Sequence, residues 1–444
     1  MSRLLFLVRR FLFRFMIILF FLPPWVESPE GKEWFDALSP RWGGHFRGRG
    51  NASRPDDESV YGLEGSRTRY DGSLEFRFKN KLFFEEWGVL ETHYEAFLNG
   101  GDTREKGLEL ERRFPDVFGG GFEAAGVRPV EDDRRLLDLT ETLDKGNRHI
   151  LYHRLDRLVL TLQPAWGTVR LGRQALTWGN GMLFNPMDLF NPFAPIDVDR
   201  DYKIGDDMAL AQVSFEELGE FQLLYVPRRN PVSGDVEWDS SAVAGKYHFF
   251  RKSREFELMA ARNYETLVLG AGALGYLGAT AWRISGTWTF LPEKSDAGNY
   301  LRLVANLDYS WVWWERNWYG FLEFYYNGLG EDDYTGALDD SDRIRALDRG
   351  EIFTLGRMYL AGHVDLEIHP LVNLFLTGIL NLADPSLVFQ PRGVWSVTQN
   401  LDVMLGATLY AGGPDTEYGG FDLAETDFQI VPADNAYLWL TWYF

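Results

Sequence analysis

From about residue 69 onward, apolar and polar side chains alternate with a period of two, in segment after segment. Residues 299–313 read NYLRLVANLDYSWVW. Leu301, Leu303, Ala305, Leu307, Tyr309, Trp311 and Trp313 fall on one face, and Arg302, Val304, Asn306, Asp308 and Ser310 on the other. Successive side chains leave a pleated strand on opposite sides, so this period predicts β-strand. The same test succeeds for Trp282, Ile284, Trp288 and Phe290 against Arg283, Ser285 and Thr287. It succeeds again for Leu374, Leu376 and Leu380 against Asn373, Thr377 and Asn381, and for Leu401, Val403 and Leu405 against Asp402.

Two architectures yield alternating strands: a soluble sandwich or propeller, and a transmembrane barrel. Segment length separates them. Soluble strands usually run about five or six residues, whereas a strand tilted across a bilayer needs roughly 9–11; the long segments here fit the second. Aromatics gather near segment ends (Trp311, Trp313, Trp314 and Trp318 around one turn, Phe324, Tyr325 and Tyr326 at the next end), as in interfacial girdles. Short links at Gln163–Gly167, Glu217–Gly219, Arg251–Arg254, Leu274–Leu277, Trp314–Asn317, His369–Leu371 and Val397–Asn400 alternate with longer loops at 99–148, 179–206, 229–239, 291–298, 329–351 and 412–434. The expected fold is therefore all-β: a single transmembrane antiparallel β-barrel of about 18 strands, with 16 as the alternative. It carries long extracellular loops, and one of them is expected to fold inward.

Both ends of the sequence bear on export. Arg3, Arg9, Arg10 and Arg14 precede an uncharged stretch, Phe15–Val26, the layout of a secretory signal. The expected division is a signal peptide over 1–28, an N-terminal periplasmic segment over 29–40 and the barrel over 41–444. At the other end, Leu438, Leu440, Trp442 and Phe444 alternate to the last residue. Here the chain resembles Gram-negative outer-membrane β-barrels, whose last strand typically ends in Phe. That resemblance implies a bacterial outer-membrane location, contact with outer-membrane lipid and lipopolysaccharide, and recognition of the Phe444 strand by the barrel-assembly machinery.

Composition closes off other classes. With 65 acidic and 45 basic side chains the formal charge is -20, which argues against nucleic acid. There is no cysteine, so zinc ribbons and thiol nucleophiles are excluded. No metal site or cofactor is expected. Asp197, Asp199 and Asp201 are spaced like the start of a calcium loop, but Tyr202 and Met208 occupy positions that need Gly and Glu.

If the apolar faces meet lipid, the polar faces line a wet bore. Arg170, Arg173, Arg302, Asp308, Glu323, Arg357, His363 and Asp365 are the candidate pore-lining residues, although pairing across neighbouring strands is the plainer role for many such charges. The stretch Thr168–Asp207 is too apolar for a loop bathed in water, and two Asn-Pro turn initiators punctuate it. It is expected to fold inward as a constriction built from Phe184, Asn185, Asp188, Phe190, Asn191, Asp197, Asp199 and Asp201. A loop that caps the mouth or contacts a neighbour is the alternative. The segment Gly172-Arg173-Gln174, with Leu176, Gly179 and Gly181, is similar to a strand signature of porin-like barrels related to alginate-export proteins. The quoted positions span ten of the 444 residues. The resemblance implies an 18-stranded, cofactor-free barrel, but not a substrate, because the FNPMDLFNP loop departs from the pattern.

The function these features imply is a porin-like channel for passive passage of a small polar solute, oligosaccharide or polysaccharide, and not an enzyme. The alternatives are a structural or partner-binding barrel with an occluded lumen and, further off, an outer-membrane hydrolase. His93, His153 and His363 fall on strands without a nucleophile at signature spacing.

Overall fold

The computed structural model describes residues 38–57, 59–62, 68–84, 87–113, 131–190, 192–196, 202–292, 295, 298–334, 337, 340–422 and 428–444. The expected signal segment lies outside them, as do Asn191, Asp197, Asp199 and Asp201. Alternation builds a closed 18-strand antiparallel barrel. Its strands are β1 (Leu38–Arg54), β2 (Arg69–Phe84), β3 (Gly88–Gly101), β4 (His149–Leu162), β5 (Thr168–Gln174), β6 (Asp206–Phe215), β7 (Gly219–Val226), β8 (Ala242–Arg251) and β9 (Arg254–Asn263). After them come β10 (Thr266–Leu277), β11 (Thr280–Phe290), β12 (Tyr300–Trp313), β13 (Arg316–Asn327), β14 (Met358–His369), β15 (Val372–Asn381), β16 (Leu387–Thr398), β17 (Leu401–Ala411) and β18 (Asp434–Tyr443). Two α-helices among the described residues, α1 (Asp102–Arg113) and α2 (Ser341–Asp348), sit in long loops. The Asp340 side chain caps α2 by accepting from the Asp342 and Arg343 amides.

Each strand pairs with its sequence neighbour, and β18 closes the ring on β1, with Trp442 opposite Phe46 and Leu438 opposite Gly50. The terminal residue completes the seam: the Gly44 amide donates to the Phe444 carbonyl at 3.0 Å and the Phe444 amide to Gly44 O at 3.1 Å. β5 is short, and the wall above it is made up by residues 131–145. A small strand, Thr140–Lys145, pairs with the upper half of β4, while β5 pairs only with residues 158–162.

The faces sort as the alternation requires. Leu405 and Leu223 are each 62% exposed on the outside, and Leu374 and Leu376 are exposed beside them. A band of exposed leucines around a closed sheet suits hydrocarbon and not water. No helix among the described residues is long and apolar enough to cross a membrane.

Four details differ from the sequence reading. β1 begins at Leu38, inside the expected periplasmic segment. The turn expected at Leu274–Leu277 falls at Gly278, whose φ of 64° a tight turn uses, so β10 continues straight through Gly275. Tyr325 does not join the outer girdle; it points inward, 5% exposed. The inner face is also not uniformly polar, since Met208, Leu210, Leu224, Val226, Ala244, Met259, Ala261 and Val268 form an interior apolar cluster on β6–β10.

Closure gives a direct test. A Cβ on Gly44 would stand 2.1 Å from the Arg77 carbonyl and 2.6 Å from the Phe444 ring, whereas one on Gly50 meets nothing within 4 Å. Gly44→Val is expected to prevent most of the chain from migrating as a folded barrel on unheated SDS gels. Gly50→Val, on the same strand, is expected to leave that fraction unchanged or raise it, since β-propensity differences span only about 1 kcal/mol.

Candidate functional site

The lumen has two unlike sides. On β1–β4 it is a dense array of paired charges. Arg49 donates to Glu75 at 2.7 Å, Arg154 to Glu95 at 2.6 Å, and Arg77 and Arg157 to Asp156 at 2.8 and 2.6 Å. Arg77 also reaches Glu95, and Lys81 and His93 both hold Glu91. Spacing along alternating strands creates this array: in register, His45, Arg77 and Glu95 stand on adjacent strands on one face. Such pairs fix the wall more than they stabilise it, because removing one partner strands a buried charge at a cost of about 3–5 kcal/mol.

On β6–β10 the lumen face is apolar, and the segment between β5 and β6 packs on it. Leu176, Trp178, Met187, Leu189 and Phe190 of that loop join the β6–β10 cluster. Met187 is fully buried in a notch over Gly270 and Gly272; a Cβ at those positions would lie 3.4 Å from its Cε and 3.5 Å from its Sδ. Further along, Phe184 stacks on Tyr325 at 4.3 Å and leans on Tyr359 at 5.6 Å. The apolar loop thus solves its burial problem by crossing the lumen.

Its anchor on the far wall is Glu323 of β13, which is fully buried. Glu323 Oε2 accepts from the Met182 amide at 2.7 Å, and Oε1 accepts from the Leu183 and Phe184 amides at 2.9 and 2.8 Å. Asn306 Nδ2 donates to the same carboxylate at 3.1 Å. Further ties run from Trp178 Nε1 to Gln222 (2.6 Å), from Arg302 to Pro186 O (3.3 Å), from Gln390 to Ile196 O (2.9 Å) and from Lys79 to the Tyr202 hydroxyl (2.7 Å). At the neck, Lys203 binds Asp188 and Leu176 O. Burial pushes the Asp188 carboxyl up to about 6 against the pull of Lys203, and burial likewise lowers the Lys203 ammonium.

The candidate residues therefore part company. Arg170 shares the lumen face with Leu210, its register partner, and Asp308 pairs with Arg283 across β11 and β12. His363 accepts or donates at Thr377 Oγ1 (2.8 Å) and stacks on Phe321, while Asp365 borders a cleft of about 400 Å³ at the short-turn mouth with Tyr319, Asn317 and Glu367. Glu323 and Arg302 hold the loop and do not line an open passage. Arg357 precedes β14 and is tied to Gly330 O at the long-loop rim (2.8 Å). Arg173 is the clearest correction. Three residues from Arg170, it takes the opposite face of β5. There it is 2% exposed, locked to Asp207 (2.9 Å) and Asp132 (3.0 Å) under residues 131–139. Of the loop candidates, Phe184, Asn185, Asp188 and Phe190 all lie in the packed segment, with Asn185 Nδ2 donating to Trp178 O at 2.9 Å. Sequence reasoning missed Met187 and its notch; two glycines two apart inside a strand were the available signal.

No protein-family model matches the chain, and no curated protein sequence does. Solved structures do match. Acinetobacter baumannii OccAB2 superposes with a TM-score of 0.50 at 10% identity, covering 91% of this chain and 98% of that one. A BenF-like porin from Pseudomonas fluorescens Pf-5 does so with a TM-score of 0.50 at 8% identity, covering 91% and 98%. The chain has a porin-like barrel fold. Pseudomonas aeruginosa OccK11 (OpdR) is similar over the same share of the chain, 91%, at 9% identity and a TM-score of 0.50, with 96% of its own chain covered.

The Glu323 anchor predicts how the lumen opens. Glu323→Leu leaves three buried amides without an acceptor, at about 1–3 kcal/mol each, so the inward loop is expected to leave its seat. Single-channel conductance in a planar bilayer should rise well above that of the native chain. Glu323→Gln, which retains an acceptor oxygen, should show a smaller rise. Equal conductance in all three proteins would refute the anchoring role.

Proposed function

We propose that this chain is a porin-like channel of a bacterial outer membrane, passing small polar solutes passively past an inward-folded loop. One observation carries the reading: a closed barrel with an apolar outside and a charged inner wall has its lumen narrowed by a loop seated on the wall itself. A lumen with paired charges on β1–β4, and charges of both signs on β11–β15 such as Arg283, Asp308 and Asp365, holds water on those sides and sets a transverse field that orders polar and charged solutes during passage. The barrel's likeness to solved porins supports the reading at the level of fold. The solute is a finer question. The alginate-export resemblance rests on one short stretch, β5 and the first few residues of the inward loop, and Arg173 within it is engaged in the wall, so an anionic polysaccharide is not assigned.

An occluded scaffold is the competing reading, and the breadth of the loop's contacts favours it enough to require a decisive test. A channel is expected to give discrete current steps in planar bilayers and sugar-size-dependent swelling of liposomes; no current in any salt would sink it. Arg170→Ala should shift cation-to-anion selectivity toward cations, because it removes a lumen charge. Arg173→Ala should leave selectivity alone and instead lower the fraction of folded barrel, by uncovering Asp207 and Asp132 at a cost of about 3–5 kcal/mol.

A further inference from the structure

The loop between β17 and β18 reaches back into the barrel mouth through Glu417, which is 7% exposed. Its Oε1 accepts from the Leu355 amide at 2.7 Å, and its Oε2 accepts from the Tyr359 hydroxyl at 2.5 Å and Asn381 Nδ2 at 2.8 Å. The Glu417 amide donates to Asp384 Oδ2 at 2.6 Å, in the turn between β15 and β16. Tyr359 is itself fixed by the Gly356 amide, 2.6 Å from its hydroxyl. A strand, two neighbouring connections and the end of a second strand thus grip one residue, three of them through its carboxyl.

No cation is among these partners. The groups that face the site are Tyr334 from the loop before β14, Tyr359 from β14, Asn381 from β15, Asp384 from the turn, Tyr410 from β17 and Tyr418 from the loop itself. All are neutral or acidic, and the ion pairs found among the described residues include neither Glu417 nor Asp384. The three donated hydrogen bonds favour the charged form, but a carboxylate removed from water with no counter-charge is costly, and a neutral carboxyl keeps its seat by turning its own O–H to the Tyr359 hydroxyl. The next residue, Tyr418, packs in the cluster that holds Phe184, Tyr325 and Tyr359. The tip of this outer loop therefore rests on the aromatic seat of the inward loop.

We propose that the 412–422 loop is an acid-held lid: with the Glu417 carboxyl neutral its tip stays docked on Tyr359 and Asn381, and loss of that proton frees it and widens the mouth. This rests on the channel reading above. Burial, with Asp384 adding to it, pushes the Glu417 carboxyl up to about 7, against the hydrogen bonds from Tyr359, Leu355 and Asn381. In the released loop a glutamate returns to about 4.3. The docked value is the higher one, so docking is full in acid. The undocked-to-docked ratio then climbs by up to about tenfold per pH unit between about 4.3 and 7 and levels off above that.

The test is conductance of the full chain in planar bilayers from about pH 4.5 to 8.5. Current should rise with pH and reach a plateau near neutrality, and Glu417→Gln should hold it low and flat throughout. Asp384→Asn, which removes a neighbouring negative charge, should bring the plateau to lower pH. Tyr359→Phe, which removes a donor to the carboxylate, should move it higher. A native current that ignores pH, or a Glu417→Gln profile identical to the native one, overturns the lid. Because the chain has no cysteine, Ser386→Cys, fully buried beneath the loop, supplies a reading that needs no current. Its reaction with a thiosulfonate reagent in detergent, relative to that of the exposed Glu216→Cys, should accelerate over the same pH range. A ratio that stays constant overturns the lid even if the chain conducts. Absence of current at every pH overturns the channel reading instead, and the cysteine ratio then decides the lid alone.

Discussion

Hydrocarbon offers no hydrogen bonds, so every amide in the wall must find its partner in the next strand. The rest of the structure depends on that demand. It forces the sheet to close, which is why β18 returns to β1 and why the final Phe444 is stitched to Gly44 by two main-chain bonds. It fixes an even number of strands, because β1 and β18 close the ring as an antiparallel pair. It also accounts for the short β5: where that strand stops, residues 131–145 supply the missing edge, and Arg173, Asp207 and Asp132 are sealed beneath them.

Closure leaves an interior that the sequence must then furnish, and it does so in two ways. On β1–β4 charges neutralise one another across neighbouring strands, a wall that tolerates water. On β6–β10 small and apolar side chains turn inward, leaving a surface that water wets poorly and that the apolar loop covers. The loop is therefore explained by its seat: Met187 needs the notch at Gly270 and Gly272, and Phe184 needs Tyr325 and Tyr359. Polar and apolar halves of one bore are in this sense a single design.

Alternation made the strands and the closing Phe444 legible from residue order alone, because lipid on one side and a solvated lumen on the other impose opposite chemistry on neighbouring residues; the inward loop was legible instead from being too apolar for water. Legibility fails where both faces are apolar. Leu223 meets the outside and Leu224 the interior cluster, and nothing in their side chains says which is which. The role of Glu323 was equally hidden, since its partners are main-chain amides, which every sequence possesses. Grouping Arg173 with Arg170 ignored the parity of their spacing, and nothing in residue order marks Glu417, within the long 412–434 loop, as a buried group.

One consequence of the Glu323 anchor concerns how such a barrel can diversify. The carboxylate grips Met182, Leu183 and Phe184 by their amides, so it is indifferent to what those residues carry. Among the three gripped residues, the exposed Met182 side chain can be exchanged without forfeiting the tether that positions it. A lineage, or an engineer, can thus retune what the bore admits by rewriting that position while the scaffold stays as it is.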